Sequence, residues 1–200
     1  MELVARSGWG ARPPKQTAVR IAEPVRHLFL HHSAGSDGGP EQVRRIQQFH
    51  QDTRGWSDVA YSVLYSPQHR TFFEGRGLGV SGAHTKGYNR TGHAVCVLGN
   101  YELEPLPVHV IEDLAMFAAW HKSAGHGPAV YTPHREVGAT SCPGRNLVAV
   151  LDVINGAAGD RLDPLPDPEP DDADDDEVDP FGRRHDVDWA AWERYLERPS

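Results

Sequence analysis

His134 and Cys142 stand eight residues apart, and Pro143-Gly144 sets a turn directly behind the thiol. Far upstream, the apolar run Leu28-Phe29-Leu30 ends in His31-His32. Two imidazoles and one thiolate are a sufficient protein ligand set for zinc, with a fourth position left open for water. Zinc with an open position activates water and polarises a carbonyl, which is hydrolase chemistry. With twelve histidines in the chain, a single one carries no information. His31 and His134 differ from the rest because each follows a strand-like run, where side chains converge at one end of a sheet. His27, His50, His69, His93, His109, His121 and His126 read most economically as surface or packing residues. Cys96, inside Ala94-Val95-Cys96-Val97-Leu98, reads as a buried free thiol. With only two cysteines, a disulfide to Cys142 stays open.

The elements that must position these residues follow from periodicity. Residues 25–32 form a short apolar run, a buried strand by length and composition. In residues 40–52, Val43, Ile46 and Phe49 recur at three-residue spacing behind Pro40, which predicts a helix. Residues 61–65 and 71–74 flank Pro67-Gln68 and predict a hairpin. Residues 93–98 predict another strand. Residues 108–125 carry Val110, Leu114, Phe117 and Ala118 on one face, and Gly125 ends that helix. A short strand is expected at 129–131 and a helix at 145–155, opened by the Pro-Gly turn. The stretch 75–92 is glycine-rich and polar, a long loop over one end of the sheet. The predicted fold is α/β: one domain, a central mixed sheet flanked by helices, with the metal site at one end of the sheet.

Two hundred residues make one domain with an appendage. The net charge of −8 belongs to the end of the chain. Residues 161–200 hold 14 acidic and 5 basic residues, whereas residues 1–160 hold 14 acidic and 15 basic. The body therefore shows no polybasic surface for nucleic acid. No apolar stretch reaches membrane-span length. The first residues lack a basic start followed by an apolar run, so the expectation is synthesis in the cytoplasm without a secretory signal. Residues 163–180 hold ten acids, five prolines and no basic residue, a composition that cannot bury enough surface to fold. Beyond it, Asp188 could cap a helix with Trp189, Trp192 and Leu196 on one side. That helix packs on the body, binds a partner of unknown identity or stays unfolded. The expected organisation is a catalytic domain at 1–158, an acidic linker at 159–180 and a short amphipathic helix at 181–200.

Six ordered blocks give the chain a family resemblance. They are Arg6-Ser7-Gly8-Trp9-Gly10-Ala11-Arg12, His31-His32-Ser33-Ala34, and Gly55-Trp56-Ser57-Asp58-Val59-Ala60-Tyr61. Then come Gly82-Ala83-His84-Thr85-Lys86-Gly87-Tyr88-Asn89, Leu98-Gly99-Asn100-Tyr101, and His134 through Gly144. Over residues 6–155 this resembles the superfamily of peptidoglycan recognition proteins and type 2 N-acetylmuramoyl-L-alanine amidases, which includes phage lysozymes of the amidase type.

The resemblance implies a zinc cofactor held by His31, His134 and Cys142, with His32 on the opposite face of its strand. It implies a catalytic tyrosine at Tyr61, placed to hydrogen-bond the attacking water or the developing oxyanion. Thr140 occupies a position where some phage members carry a catalytic lysine; its hydroxyl can donate a hydrogen bond but supplies no charge. Trp56, His84, Tyr88 and Asn89 are the expected substrate contacts. Trp9 and Arg12 are expected to pack the N-terminal segment, and Glu136 to be a surface carboxylate. The implied partner is bacterial peptidoglycan, and the implied reaction cleaves the amide between the lactyl group of N-acetylmuramic acid and L-alanine. A phage endolysin released through a holin is the expected setting. The competing readings are a cytosolic muropeptide-recycling amidase and a non-catalytic peptidoglycan-binding module. Members of the latter kind usually lack the thiol ligand.

Overall fold

A computed structural model describes residues 2–21 and 24–159. The acidic stretch and the predicted terminal tryptophan helix lie outside the described residues. The strands are β1 (Glu2–Val4), β2 (His27–His32), β3 (Val63–Ser66), β4 (Thr71–Glu74), β5 (Gly92–Val97) and β6 (Tyr131–Pro133). The helices are α1 (Gly39–Gln48), α2 (His109–Ser123), α3 (Arg145–Val148) and α4 (Leu151–Ala158). One six-stranded sheet runs β1-β4-β3-β5-β2-β6. Only the β3–β4 hairpin is antiparallel, so the sheet is mixed, as expected.

Every residue of β2 and of β5 is buried. These strands sit side by side in the interior of the sheet and are covered on both faces, which requires a near-continuous apolar run. Alternation then divides the side chains. Leu28 and Leu30 join Val95, Val97 and the α2 and α4 residues Leu114, Phe117 and Ile154 in one core. Phe29 joins Ala94, Cys96, Trp9 and the α1 residues Val43 and Ile46 in the other. His31 continues the Phe29 face, so it emerges on the α1 side. His32 falls on the opposite face, where its Nδ1 accepts the Tyr101 amide at 3.1 Å.

Differences from expectation are local. The strand expected at 129–131 lies at Tyr131–Pro133. β6 is an edge strand, and an edge tolerates a proline that has no N–H to give. The helix expected at 145–155 is two helices, interrupted at Ala149-Val150. α4 runs past Asn155, whose side chain accepts the Tyr131 amide (2.9 Å) and donates to its carbonyl (3.1 Å), tying α4 to β6. The helix predicted to Asp52 changes at Phe49 into a wider π-type turn, Phe49–Thr53. The edge strand β1 has no counterpart among the sequence expectations. Trp9 is buried and donates its indole N–H to the Glu74 carbonyl at 2.8 Å, the packing role expected of it.

The α2 side is pinned by a buried carboxylate. Asp113 accepts the Tyr65 hydroxyl at 2.5 Å and two bonds from the Arg70 guanidinium, at 3.0 and 2.7 Å. Arg70 is half-exposed, so water screens its share. Asp113→Ala strands the Tyr65 hydroxyl in the core and is expected to cost about 2–3 kcal/mol. Urea unfolding that shows a loss below about 0.5 kcal/mol would contradict this account.

Candidate metal centre and cleft

The parallel register builds the site. Leu30 of β2 pairs with Pro133 at the end of β6, so His31, next on β2, and His134, the first residue past β6, arrive at the same level. Their ring centroids lie 4.6 Å apart. Cys142 is brought back by the turn that follows. The Arg135 amide donates to the Cys142 carbonyl at 2.8 Å, and the Cys142 amide donates to Thr140 Oγ1 at 3.1 Å. Gly144 behind it has φ +92°, and a Cβ there would stand 2.4 Å from the Tyr101 carbonyl carbon. Only glycine lets the chain pass the Tyr101-Glu102 backbone at that point. The result is a Cys142 Sγ to His31 Nδ1 distance of 3.5 Å. One donor atom from each of His31, His134 and Cys142 lies within 4.8 Å of the others.

This donor set fits a zinc ion. Burial holds the His31 imidazole well below its ordinary 6.5, aided by the neighbouring His134, His84 and His32 rings. Burial takes His134 to about 4 and pushes the Cys142 thiol up to about 12. Both imidazoles thus keep their lone pairs at neutral pH. A divalent cation supplies the charge that deprotonates a coordinating thiol outright. His134 Nδ1 is buried with no hydrogen-bond partner, the condition of a nitrogen reserved for a cation. Gly138 makes room beside that ring: a Cβ there would lie 3.0 Å from His134 Nε2. The two cysteines are free, and Cys96 is fully buried, as expected.

Beside the cluster opens a small cleft lined by His31, His134, Tyr61, His84, Trp56 and His50 among others. Tyr61 is buried, its ring 5.3 Å from that of His31. Burial chiefly, with the Cys96 and Cys142 sulfurs, raises the Tyr61 hydroxyl well above 10, so it stays a proton donor. Trp56 is partly exposed and packs against His50 at 4.8 Å. A larger cleft of about 810 Å³ opens between the 14–19 segment and residues 80–82, but the donor cluster does not line it. Chemistry, not size, selects the smaller one.

Tyr88 and Asn89, expected at the groove, lie beneath it. Tyr88 packs on His27 and Phe29, and Asn89 Oδ1 accepts the amides of His84 and Thr85 at 2.8 and 3.0 Å. Neither lines the cleft, because a loop this polar must satisfy its own backbone before it can present side chains. Glu136 is exposed, as expected. His50, read from the sequence as surface or packing, lines the cleft. The π-type turn rotates it off the α1 helical face, and its Nδ1 accepts the Ala60 amide at 3.2 Å. Helical periodicity gives no warning of that turn.

The class defined by fold and site is an α/β domain whose parallel strands carry a His/His/Cys cluster into a cleft. The chain belongs to the Amidase_2 family, N-acetylmuramoyl-L-alanine amidase, whose pattern matches residues 21–145. It is 31% identical over 153 residues to peptidoglycan-recognition protein SC2 of Drosophila simulans, covering 72% of this chain and 82% of that protein. It is 30% identical over 157 residues to a human N-acetylmuramoyl-L-alanine amidase, covering 73% of this chain but only 27% of the human protein. Among solved structures, Drosophila PGRP-LB superposes with a TM-score of 0.68 at 30% identity, covering 74% of this chain and 92% of the other. PGRP-LE, solved in complex with tracheal cytotoxin, superposes with a TM-score of 0.71 at 27% identity, covering 76% and 92%.

Proposed function

We propose that this protein is a zinc-dependent N-acetylmuramoyl-L-alanine amidase acting on peptidoglycan. The observation that carries the reading is the complete set of His31, His134 and Cys142 beside a buried, protonated Tyr61 at the wall of one cleft. Zinc, when bound by those three residues, acts as a Lewis acid and lowers the pKa of water to near ~7. Tyr61 donates its hydroxyl hydrogen to the lactyl carbonyl oxygen as negative charge develops there, a term of about 10²–10³ in rate for one such donor. Thr140 accepts the Cys142 amide and, though it does not line the cleft, is the proposed second hydroxyl near the ligand turn. His84 and Trp56 are the proposed substrate contacts. Water adds across the C–N bond, leaving a carboxylate on the lactyl group and a free amine on L-alanine.

Relatives of this chain include proteins named as recognition proteins, so binding without cleavage is the competing class. The thiol ligand and the tyrosine favour catalysis. The peptidoglycan fragment in the PGRP-LE complex supports a muropeptide as the ligand class. For the cell we propose an endolysin acting on the wall after holin-type release, built as an amidase domain at 1–158, an acidic linker at 159–180 and a terminal helix at 181–200. That extension is supported by the change of composition after residue 158. Among the described residues no helix is long and apolar enough to cross a membrane.

Mass spectrometry of purified sacculi tests the proposal, with zinc-loaded, chelated and Tyr61→Phe protein side by side. Free stem peptides with intact glycan strands are expected from the loaded protein only. Binding without release moves the protein to the recognition class. Cleavage of soluble muropeptides but not sacculi replaces the endolysin with a recycling amidase.

A further inference from the structure

We propose that Thr85 is a positioning residue that fixes His31 in the tautomer able to offer its Nδ1 lone pair to the metal. The proposal rests on the zinc reading of the site. His31 is held at both edges. Its Nδ1 lies 3.5 Å from Cys142 Sγ, and its Nε2 lies 3.2 Å from Thr85 Oγ1. The same hydroxyl lies 2.9 Å from His84 Nδ1. Thr85 and His84 are both buried, at 2% and 7% exposure, so bulk water does not compete for these bonds.

A hydroxyl carries one hydrogen and can accept two, but among the described residues Thr85 Oγ1 meets no acceptor besides the two rings, so it donates to one imidazole and accepts from the other. Two polarities are possible. In the first, His31 Nε2–H donates to Thr85, Thr85 donates to His84 Nδ1, and His84 carries its hydrogen on Nε2, a buried atom with no protein partner on a residue that lines the cleft. In the second, His84 Nδ1–H donates to Thr85, Thr85 donates to His31 Nε2, and the His31 hydrogen sits on Nδ1. The second polarity points a hydrogen at Cys142 Sγ and blocks the ligand atom. The first leaves Nδ1 bare. His84 therefore acts as the terminal acceptor of a three-group chain, and Thr85 carries the polarity across it.

The surroundings hold Thr85 to this task. Asn89 Oδ1 accepts the amides of both His84 and Thr85, so the hydroxyl is presented from a fixed backbone. The β-branch restricts χ1, which keeps Oγ1 between the two rings. Gly82 leaves the space that the His84 ring occupies: a Cβ there would lie 2.2 Å from the ring's Cδ2. Outer groups of this kind orient a ligating histidine, and their loss typically lowers metal affinity by about 10–100-fold.

The experiment measures zinc affinity of the full chain by chelator competition for wild type, Thr85→Val and Thr85→Ser. It is paired with ¹⁵N NMR of the histidine tautomers in zinc-loaded and zinc-free wild type. Thr85→Val keeps the shape and loses the hydroxyl, and is expected to weaken zinc by about 10–100-fold. Thr85→Ser keeps the hydroxyl and is expected to stay within about threefold of wild type. Both His31 and His84 are expected as Nε2–H tautomers in the loaded protein. A wild-type His84 carrying its hydrogen on Nδ1 overturns the proposal even if Thr85→Val fails to fold. So does a valine variant that holds zinc as tightly as wild type. Wild-type protein that binds no zinc overturns the metal reading and this inference together. Normal zinc binding without amide cleavage sinks only the assigned reaction.

Discussion

Cys142→Ser is expected to lose zinc and with it all measurable amide cleavage. Three protein ligands sharing about 12 kcal/mol of zinc binding contribute about 4 kcal/mol each, roughly a thousandfold in Kd. A serine hydroxyl does not ionise near neutral pH, so the site loses a negative charge as well as a ligand atom. Beyond the stabilisation that bound zinc supplies, the loss should not spread to the fold. The Cys142 amide bond to Thr140 and the carbonyl bond from Arg135 are backbone contacts that serine keeps. Isothermal titration with zinc, followed by the sacculus digest, checks both halves. A serine variant that still binds zinc within tenfold of wild type and still cleaves means that Cys142 is not a ligand.

Acid is expected to unfold the protein well above the pH at which carboxylates protonate. His93 and His121 form a closed chain: the Gly79 amide donates to His93 Nε2 at 3.0 Å, so His93 Nδ1–H donates to His121 Nε2 at 2.8 Å. His121 Nδ1–H then donates to the Pro128 carbonyl at 2.9 Å. Every position on the chain is used by neutral rings, and an added proton sets two hydrogens against each other. Burial, with the neighbouring histidines, takes His93 to about 3 and His121 to about 4. Burial, with Arg76 and Arg54, takes His50 to about 3. These folded values lie below the unfolded 6.5, so the unfolded chain binds more protons between about pH 4 and 6.5. The stabilisation is fully present above pH 6.5 and is lost as pH falls toward the folded values. At about 1.36 kcal/mol per unit, three rings lose about 6 kcal/mol by pH 5, comparable with the whole stability of a domain. Calorimetry from pH 7.5 to 5 should show Tm falling by about 10–20 °C. The drop should persist in 0.5 M salt, because burial rather than surface charge causes it. A flat Tm over that range would mean that these rings take up protons freely in the folded state.

The contrast between the ligands and His50 shows where the sequence was readable. His31 and His134 each end a strand-like run, and strands of one sheet deliver their last side chains to a common edge. That argument reaches the metal cluster without coordinates. The family pattern added Tyr61 and the choice of His31 over His32, which the period-two alternation of β2 accounts for physically. His50, by contrast, reaches the cleft through a π-type turn that no hydrophobic pattern encodes. Thr85 escaped notice for a related reason: its importance lies in two hydrogen bonds to residues 54 and 1 positions away, and a lone threonine in a glycine-rich loop carries no spacing signal. Asn89 differs. A polar loop residue in a family motif suggests a ligand contact, and its Oδ1 is taken by the His84 and Thr85 amides of its own loop. Pro133 misplaced β6 because proline argues against a strand everywhere except at an edge, and edge position is a property of the assembled sheet.

The distance along the chain between the ligands has a consequence for breathing motions. His31 sits on β2, the strand next to the edge, and Cys142 follows it 111 residues later, just past the edge strand β6. β6 pairs with the sheet along one side only, through three residues. Such a margin is where local opening begins, at a free energy well below that of global unfolding. An ion bound by both His31 and the turn after β6 would cross-link the margin to the strand inside it. It would act as a removable rivet, strengthening the element that frays first and stabilising the fold with the logarithm of the free ion concentration once that exceeds Kd. Resistance to proteolysis at the sheet margin would then track the zinc supply of the compartment in which the protein works.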